Sequence, residues 1–389
     1  MFERDQRDFK SKLVSIDVFD PFRKKWSEEY IRLPNRFNTG GLIATHPFTD
    51  LHVHVRLNGG EDYDSLEMAA KVGGFSTLLI QPNVNPPLAS HEVVNQHISL
   101  IKDRDVKFLL TISPFGVLEP FNEEIIKAYS TDGTSYDYPK LVEAMRSKKK
   151  KILWIDHSQM YEIGGIFYEG TDIDVPKRPL SNEPIAIVRT VLTGLEYGFK
   201  RFHIQHVSNP FSVEAISWLR DHADVSCEVT PHHLLLSSEE IRNSNFKINP
   251  PLVSEKKRKE LVEMVKKGLI DVLSSDHAPH SLKPNDYLTA PFGTSNLEVA
   301  FSAYFTAIGE LELVIGKMTS KPMKLINVRS NLSENNLVFL DPNSTFEVDT
   351  KKFVSKGKNC VFDGMRLNAK VVGLKINGKM VMWDGEIIS

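Results

Sequence analysis

Cysteine is nearly absent from this chain, which has only Cys227 and Cys360 among its 389 residues. Two cysteines are too few for a framework of disulfide bonds, so the sequence excludes the class of small secreted domains that such bonds hold together. The chain also lacks any apolar run near the roughly 20 residues that a membrane-spanning helix needs. We therefore expect Cys227 to be a small core residue and the protein to have no membrane span.

An excess of charge of either sign is lacking as well. Lysine and arginine number 48 and aspartate and glutamate 50, which gives a net charge of −2 at pH 7. This balance offers no electrostatic reason to expect binding to nucleic acid or to an anionic membrane. The N-terminal segment MFERDQRDFK is charged and has no apolar region of the kind found in secretory signals. The sequence thus predicts a cytoplasmic protein.

Apolar runs typical of β-strands alternate with amphipathic segments through most of the chain. Eight such runs end at His54, Gln81, Ser113, Thr131, His157, Val207, His233 and His277. Segments between them, such as EDYDSLEMAAKV and EPIAIVRTVLTGLEY, have the apolar spacing of helices, and Ser90 and Ser254 stand where helix N-caps belong. This alternation predicts an α/β fold, a (β/α)8 TIM-like barrel rather than an open sheet.

The two ends of the chain differ from its middle. Residues before Pro47 and after about Phe339 form short alternating segments, and Asn377-Gly378 lies between two apolar runs, as in a tight β-hairpin. We predict that residues 1–46 and 340–389 meet as a small β-sandwich appendage. Residues 47–339 would then form the barrel.

Residues able to bind a metal ion collect at the ends of the predicted strands, where barrel enzymes build their active sites. His52 and His54 are two residues apart on the first strand, so both imidazoles face the same side and could hold one ion. A hydrogen-bonded interior pair is the alternative. Several imidazoles with two carboxylates suit Zn²⁺ or a similar divalent ion. The further residues at strand ends are Asp132, Asp156, His157, His203, His206, His232, His233, Asp276, His277 and His280.

Other polar residues indicate a small polar substrate. Arg56 follows His54 by two residues, and its guanidinium could take a substrate carboxylate through two hydrogen bonds, with a surface salt bridge as the alternative. Asn83 in QPNVNPP and Asn249 in KINPPL could offer amides to a substrate, or could only cap the backbone. The segment APFGTSN could present backbone groups to a ligand at Gly293.

Taken in order, several motifs resemble those of the dihydroorotases, of the class that is fused to or associated with aspartate transcarbamoylase. They are DLHVHVR, QPNVNPP, IQHVSNP, EVTPHHLLLS, INPPLVS and SSDHAPH, and the tail FVSKGKNCVFDG resembles the C-terminal region of the same family. The resemblance implies a zinc-dependent cyclic amide hydrolase with one or two ions. It would interconvert N-carbamoyl-L-aspartate and L-dihydroorotate in de novo pyrimidine (UMP) biosynthesis. The resemblance also implies aspartate transcarbamoylase as a partner, and a homo-oligomer is left open.

The resemblance further implies a role for individual residues. The more buried metal ion would be held by His52, His54 and Asp276. A second ion would be held by His206 and bridged to the first by Asp132. The carboxylate and ring amides of the substrate would be bound by Arg56, Asn83, Asn249 and His280. A metal-activated hydroxide would attack the ring carbonyl, while Asp276 would act as the general acid/base that passes the proton to the leaving nitrogen.

The chain departs from the family pattern at the end of the fifth strand. Family members usually show HxED there, whereas this chain reads WIDHSQMYEIGGIFYEG, which puts Ile155 at the usual histidine position. His157, two residues later on the same side, could substitute as a ligand. Alternatively, the second metal site is weakened or absent. Lys127 lies too early to be the carboxylated lysine that bridges the ions in some relatives.

Two other functions stay open. A dihydropyrimidinase or allantoinase would share the metals and the fold, but its neutral ring would not need Arg56 as a carboxylate clamp. The altered fifth strand keeps open a non-catalytic scaffold that docks aspartate transcarbamoylase. Such a scaffold, however, would have no chemical need to keep His52, His54, His206 and Asp276 together.

Overall fold

The N-terminal part of the chain begins with a long β-hairpin. The computed structural model describes residues 11–57, 60–116, 121–281, 283–330 and 332–388. Strands β1 (Ser11–Asp20) and β2 (Lys25–Pro34) pair antiparallel along their whole length, and β3 (Ile43–Thr45) pairs parallel with β1. The expectation that residues 1–10 hold no secretory signal lies outside the described residues.

The middle of the chain forms the predicted barrel. Its strands are β4 (Phe48–Val53), β5 (Phe75–Ile80), β6 (Lys107–Ile112), β7 (Ile126–Ser130), β8 (Leu153–Asp156), β9 (Phe167–Tyr168), β10 (Lys177–Arg178), β11 (Arg201–Ile204), β12 (Asp224–Val229) and β13 (Val272–Leu273). Strands β9 and β10 pair with each other, and the other eight form one parallel sheet in chain order. A parallel bridge between Val53 and His277 joins the two ends of that sheet and nearly closes it. Each of the eight predicted runs overlaps one strand of this sheet.

Helices connect most of the barrel strands. They are α1 (Tyr63–Gly73), α2 (His91–Leu100), α3 (Tyr138–Ser147), α4 (Asn182–Glu196), α5 (Pro210–Leu219), α6 (Pro231–Leu235), α7 (Glu255–Lys266), α8 (Ala300–Ile308), α9 (Leu311–Met318) and α10 (Ser320–Leu325). Ser90 caps α2 through a hydrogen bond from the backbone N–H of Val93. Ser254 occupies the N-cap of α7 but its side chain makes no cap bond.

The strand in the seventh predicted run ends earlier than the sequence suggested. Strand β12 stops at Val229, because the Thr230 side chain caps helix α6 and Pro231 takes the first helical position. His232 and His233 therefore lie on a helix and not on a strand.

Alternate side chains of the strands separate two parts of the core. One buried apolar cluster contains Leu79, Leu109 and Ile155 together with Ile326, which follows α10. Trp154, the neighbour of Ile155, belongs instead to the larger cluster that includes helix residues. Because side chains alternate along a strand, the first cluster fills the barrel interior and the second lies between barrel and helices.

Both ends of the chain contribute to a second sheet. Strands β14 (Leu337–Glu347), β15 (Arg366–Ile376), β16 (Lys379–Trp383) and β17 (Glu386–Ile387) join β1–β3 in a seven-stranded, mostly antiparallel sheet, in which β14 pairs with β3. Asn377 and Gly378 have φ of 50° and 81° and form the predicted hairpin turn. The predicted appendage from both termini is confirmed, while its boundaries at 46/47 and 339/340 stay a prediction.

The sequence also led to predictions about the two cysteines and about membrane-spanning helices. Cys227 and Cys360 are both buried and free, and Cys227 belongs to the main core cluster as predicted. Within the described ranges, no helix is both long and apolar enough to cross a membrane.

The C-terminal segment is tied to the barrel through Glu298, which lies in the short 3-10 turn Leu297–Val299. Its carboxylate accepts hydrogen bonds from the backbone N–H groups of Val354, at 3.1 Å, and Ser355, at 2.9 Å. Burial raises the pKa of Glu298 from 4.5 to about 7, although these two hydrogen bonds oppose the shift. The folded state therefore binds the proton more tightly than the unfolded state does.

This shift predicts a pH-dependent stability. The contribution is fully present below pH 4.5 and is lost as the pH rises through about 7. The difference in unfolding free energy between wild type and Glu298→Gln should therefore fall by roughly 1–3 kcal/mol as the pH rises between these values. Urea unfolding at pH 4.5 and pH 7.5 measures this difference, with exposed Glu347→Gln as the control. A difference that does not change with pH would refute the assignment.

Candidate active site

A cavity of about 350 Å³ opens where the barrel strands end. All the predicted site residues except His280 line it, namely His52, His54, Arg56, Asn83, Asp132, His157, His206, Asn249, Asp276 and Gly293. Polar and aromatic side chains that were not predicted also contribute, namely Ser135, Gln159, Tyr161 and Phe292. The folding of the barrel thus gathers residues from eight separate chain segments at one place.

Two histidines and two aspartates form a compact cluster in this cavity. His54 Nε2 lies 3.0 Å from Asp276 Oδ1, and His52 Nε2 lies 3.4 Å from the same oxygen. Asp132 Oδ2 lies 2.9 Å from His52 Nε2 and 4.0 Å from His54 Nε2. All four side chains are buried. Imidazole and carboxylate donors at this spacing suit a divalent ion such as Zn²⁺.

A hydrogen bond at Nδ1 turns the Nε2 atom of each histidine toward this cluster. His52 Nδ1 lies 2.6 Å from Glu228 Oε1, and His54 Nδ1 lies 2.8 Å from Asn83 Oδ1. Partners of this kind fix the tautomer and the ring orientation of metal-binding histidines. The register shift in β4 between Asp50 and Val53 lies beside the pair. Such irregularities often re-aim side chains near active sites.

The charges around His52 also favour a cation. Burial disfavours a charged imidazole, but the carboxylates of Asp276 and Glu228 outweigh it and raise the pKa of His52 well above 6.5. Burial likewise opposes ionisation of Asp132, yet the neighbouring His54 and His52 bring its pKa well below 3.8. Three buried carboxylates therefore surround one imidazole, and a positive charge stabilises them. A metal cation at this cluster would supply such a charge, so the residues fit one.

A second group of candidate ligands shares His52 and Asp132 with the first. It contains His52, Asp132 and His206, whose ligand atoms all lie within 4.8 Å of one another. His206 Nε2 also lies 2.8 Å from His157 Nδ1, and His206 Nδ1 is a buried atom without a hydrogen-bond partner among the described residues. Ile155, at the usual position of the fifth-strand histidine, is fully buried in the barrel interior.

Two residues of the site have a strained backbone. His206 has a φ of 33° and Asp276 a φ of 48°, in the left-handed region that side chains other than glycine rarely adopt. Strain of this kind persists only where the surrounding structure holds it, and it is concentrated at functional sites.

Arg56 extends along the cavity wall beside the histidines. Its Nη1 donates to the carbonyl oxygen of Asn83 at 3.2 Å and to Asn83 Oδ1 at 3.4 Å. No carboxylate within the described ranges forms an ion pair with it. Burial lowers the pKa of Arg56, against the attraction of Asp132 and Asp276. A largely desolvated guanidinium at a cavity wall can bind an anionic ligand group.

Gly133 keeps the Asn83 side chain in place. It has a φ of 70°, and a Cβ added there would lie only 2.1 Å from Asn83 Cβ. Asn83 Nδ2 donates to Asp132 Oδ1 at 2.9 Å. Asn83 therefore connects the carboxylate of Asp132 and the imidazole of His54 to Arg56. Only glycine permits this close approach.

The remaining predicted substrate-binding groups already form hydrogen bonds with other residues of the chain. His280 Nε2 donates to the carbonyl oxygen of Phe292 at 2.9 Å. The N–H of Gly293 donates to the carbonyl of Lys247 at 3.1 Å, and the Gly293 carbonyl accepts from Lys283 Nζ at 2.9 Å. Asn249 accepts a hydrogen bond from the buried Arg178.

The other strand-end histidines make structural contacts instead of lining the cavity. His203 lies between Ser226 Oγ at 2.9 Å and Glu228 Oε2 at 3.0 Å. His233 contacts the Thr230 hydroxyl at 2.7 Å and the Pro250 carbonyl at 2.9 Å. Spacing alone did not distinguish these residues from the cavity histidines.

Glu228 and Arg178 are functional candidates that sequence reasoning missed. Glu228 is fully buried in β12, and a buried carboxylate in an apolar strand is itself a signal that it has a polar partner. Arg178 belongs to a strand of only two residues, where no periodic pattern could reveal it.

Comparison with known proteins gives a consistent set of relatives. No protein-family model matches the chain. It is 60% identical over 372 residues to a Thermotoga maritima protein named "Putative dihydroorotase", which covers 96% of this chain and 98% of that protein. It is 31% identical over 381 residues to a dihydroorotase of Staphylococcus aureus, with 89% of each chain covered. Among solved structures, an L-hydantoinase (dihydropyrimidinase) from Arthrobacter aurescens has a TM-score of 0.80 at 23% identity, with 96% of each chain covered. That likeness shows the barrel fold.

Proposed function

The chain belongs to the dihydroorotase family of cyclic amide hydrolases, and we propose that its own reaction is the reversible cyclisation of N-carbamoyl-L-aspartate to L-dihydroorotate. This would place it in de novo pyrimidine biosynthesis. The observation that carries the proposal is Arg56, whose guanidinium lies beside the His52, His54 and Asp276 cluster and forms no ion pair with a carboxylate of the described residues. Both dihydroorotate and its open form carry a carboxylate that this guanidinium could bind.

The proposal includes a divalent metal, with zinc as the ion that the donor set suits best. The side chains that would hold it are His52, His54, Asp132 and Asp276. When bound, such an ion acts as a Lewis acid and lowers the pKa of a water molecule to about 7.

The residues of this chain would orient the ring and move the proton. Arg56 would hold the carboxylate of the substrate, so that the ring amide meets the attacking water in one orientation. Asp276 would accept the proton of that water and deliver it to the leaving amide nitrogen. In the cyclisation direction the same carboxylate would take the proton from the carbamoyl nitrogen.

Substitution of Arg56 tests the substrate. Arg56→Met should raise the KM for dihydroorotate by about 10- to 100-fold, the cost of a lost charge-assisted hydrogen bond, and should affect kcat less. Arg366→Met, an exposed arginine of β15, is the matched control. Initial rates of ring opening, followed by the loss of dihydroorotate, give both constants.

The competing functions give different results in the same assay. Hydrolysis of hydantoin or allantoin without hydrolysis of dihydroorotate would favour a neutral-ring amidase. Absence of any hydrolysis by metal-loaded protein would favour the non-catalytic scaffold. If Arg56→Met lowers kcat alone, Arg56 is not the carboxylate clamp.

A further inference from the structure

His157 and His206 belong to a hydrogen-bonded series that starts at a buried arginine. Arg178, at the end of β10, donates from Nη2 to the side-chain oxygen of Asn249. Asn249 Nδ2 lies 3.0 Å from His157 Nε2, and His157 Nδ1 lies 2.8 Å from His206 Nε2. We call these four residues the Arg178 relay.

The arginine determines how the Asn249 amide is turned. A guanidinium only donates hydrogen bonds, so the amide oxygen of Asn249 must face Arg178 and its nitrogen must face away. That nitrogen donates one hydrogen to Gln159 Oε1 at 3.0 Å and the other to His157 Nε2. Turning the amide over would set its NH₂ group against the guanidinium, so this orientation is fixed.

The orientation of Asn249 in turn determines the tautomer of His157. Because His157 Nε2 accepts a hydrogen bond, it carries a lone pair there, and the ring proton must be on Nδ1. That Nδ1–H donates to His206 Nε2. Both nitrogens of His157 are therefore occupied, and so is the lone pair of His206 Nε2. A metal ion could bind His157 Nδ1 only if the ring proton moved to Nε2, where it would meet the NH₂ group of Asn249 unless that amide turned over, which Arg178 opposes.

His52 in β4 and His54 directly after it are hydrogen-bonded differently from His157 and His206. The Nδ1 atoms of His52 and His54 are engaged by Glu228 and Asn83, so their Nε2 atoms face the two aspartates and are the atoms that a metal ion would bind. We infer that this centre holds one metal ion, on His52, His54, Asp132 and Asp276. A second ion would need the ring nitrogens that the Arg178 relay engages, namely those of His157 and Nε2 of His206. The inference rests on the metal dependence proposed above and adds the number of ions and their ligands.

The number of zinc ions per chain tests the inference directly. Full-length protein is stripped of metal, saturated with Zn²⁺, freed of loosely bound metal and measured by elemental analysis. We expect one ion per chain in wild type and also in His157→Gln, because His157 is not a ligand. Two ions in wild type, or loss of the single ion in His157→Gln, would overturn the inference and leave the proposed substrate untouched. A chain that binds no ion would refute the proposed metal centre as well.

The tautomer of His157 gives a second readout that is independent of activity. Long-range ¹⁵N–¹H correlation spectra of the histidine rings distinguish the Nδ1–H from the Nε2–H form. We expect the Nδ1–H form at His157 in both zinc-free and zinc-loaded wild type. An Nε2–H form, or a zinc-induced shift of His157 Nδ1 to the range of a metal-bound nitrogen, would contradict the inference.

Two substitutions of Arg178 form a matched pair. Arg178→Lys keeps a donor toward Asn249 and should keep one ion per chain. Arg178→Met removes that donor and lets the amide turn over, so zinc content at saturation should rise above one ion per chain toward two. One ion in both variants, with the Nδ1–H form of His157 unchanged, would show that the arginine does not set the relay.

Discussion

Replacement of Asp276 by asparagine is expected to lower kcat for dihydroorotate hydrolysis by about 10²- to 10⁴-fold, the range that general acid/base groups contribute, with a much smaller change in KM. Asparagine keeps the shape and an oxygen at the position of Oδ1, which lies 3.0 Å from His54 Nε2. It cannot accept the proton of the attacking water at ordinary pH. The chemical step should therefore fail while the substrate still binds.

The kinetic loss must be separated from the loss of a metal ligand. Elemental analysis of the same Asp276→Asn sample shows whether zinc is retained, and only turnover lost at full zinc content counts as lost proton transfer. Asp172→Asn, an exposed aspartate in the segment between β9 and β10, is the control for removing one carboxylate. Near-normal kcat in Asp276→Asn would rule out Asp276 as the proton carrier.

Much of the barrel follows from hydrophobic pattern alone. Each of the eight strands of the parallel sheet lies in a short run rich in apolar residues. Helices such as α1 and α4 bury one face, so their apolar residues recur with helical spacing. Helix α8 lacks this signal because AFSAYFTAI is apolar on almost every side, and it was not predicted. Its place is set by burial between the barrel and β15, which depends on tertiary packing.

The candidate site could be predicted to the extent that its residues follow strand ends. His52 and His54 are two residues apart, and alternation along a strand is a local property of sequence. Glu228 is 176 residues from His52, and nothing local to either indicates that they meet. The proton positions in the Arg178 relay are less accessible still, because they depend on which atom of Asn249 faces the guanidinium.

Glu228 is the residue whose loss we expect to weaken both the fold and the metal centre. Its Oε1 lies 2.6 Å from His52 Nδ1 and its Oε2 lies 3.0 Å from His203 Nε2, with the side chain fully buried. Burial opposes ionisation, but the two imidazoles lower the pKa of Glu228 below its usual 4.5. The carboxylate is thus a charged bridge between β4 and β11, and removing one partner of a buried pair leaves the other uncompensated.

Glu228→Gln should lower the unfolding free energy of zinc-free protein by about 3–5 kcal/mol, the usual cost of breaking a buried pair. Its zinc affinity should fall by about 10- to 100-fold, because His52 loses the acceptor that aims its Nε2 at the metal. Denaturant unfolding and competition with a zinc chelator measure the two effects, and exposed Glu214→Gln is the matched control. His203→Asn removes only the Oε2 contact, so it should lower stability while zinc affinity stays close to that of wild type. Equal losses of zinc affinity in Glu228→Gln and His203→Asn would mean that Glu228 supports the barrel generally and does not orient His52.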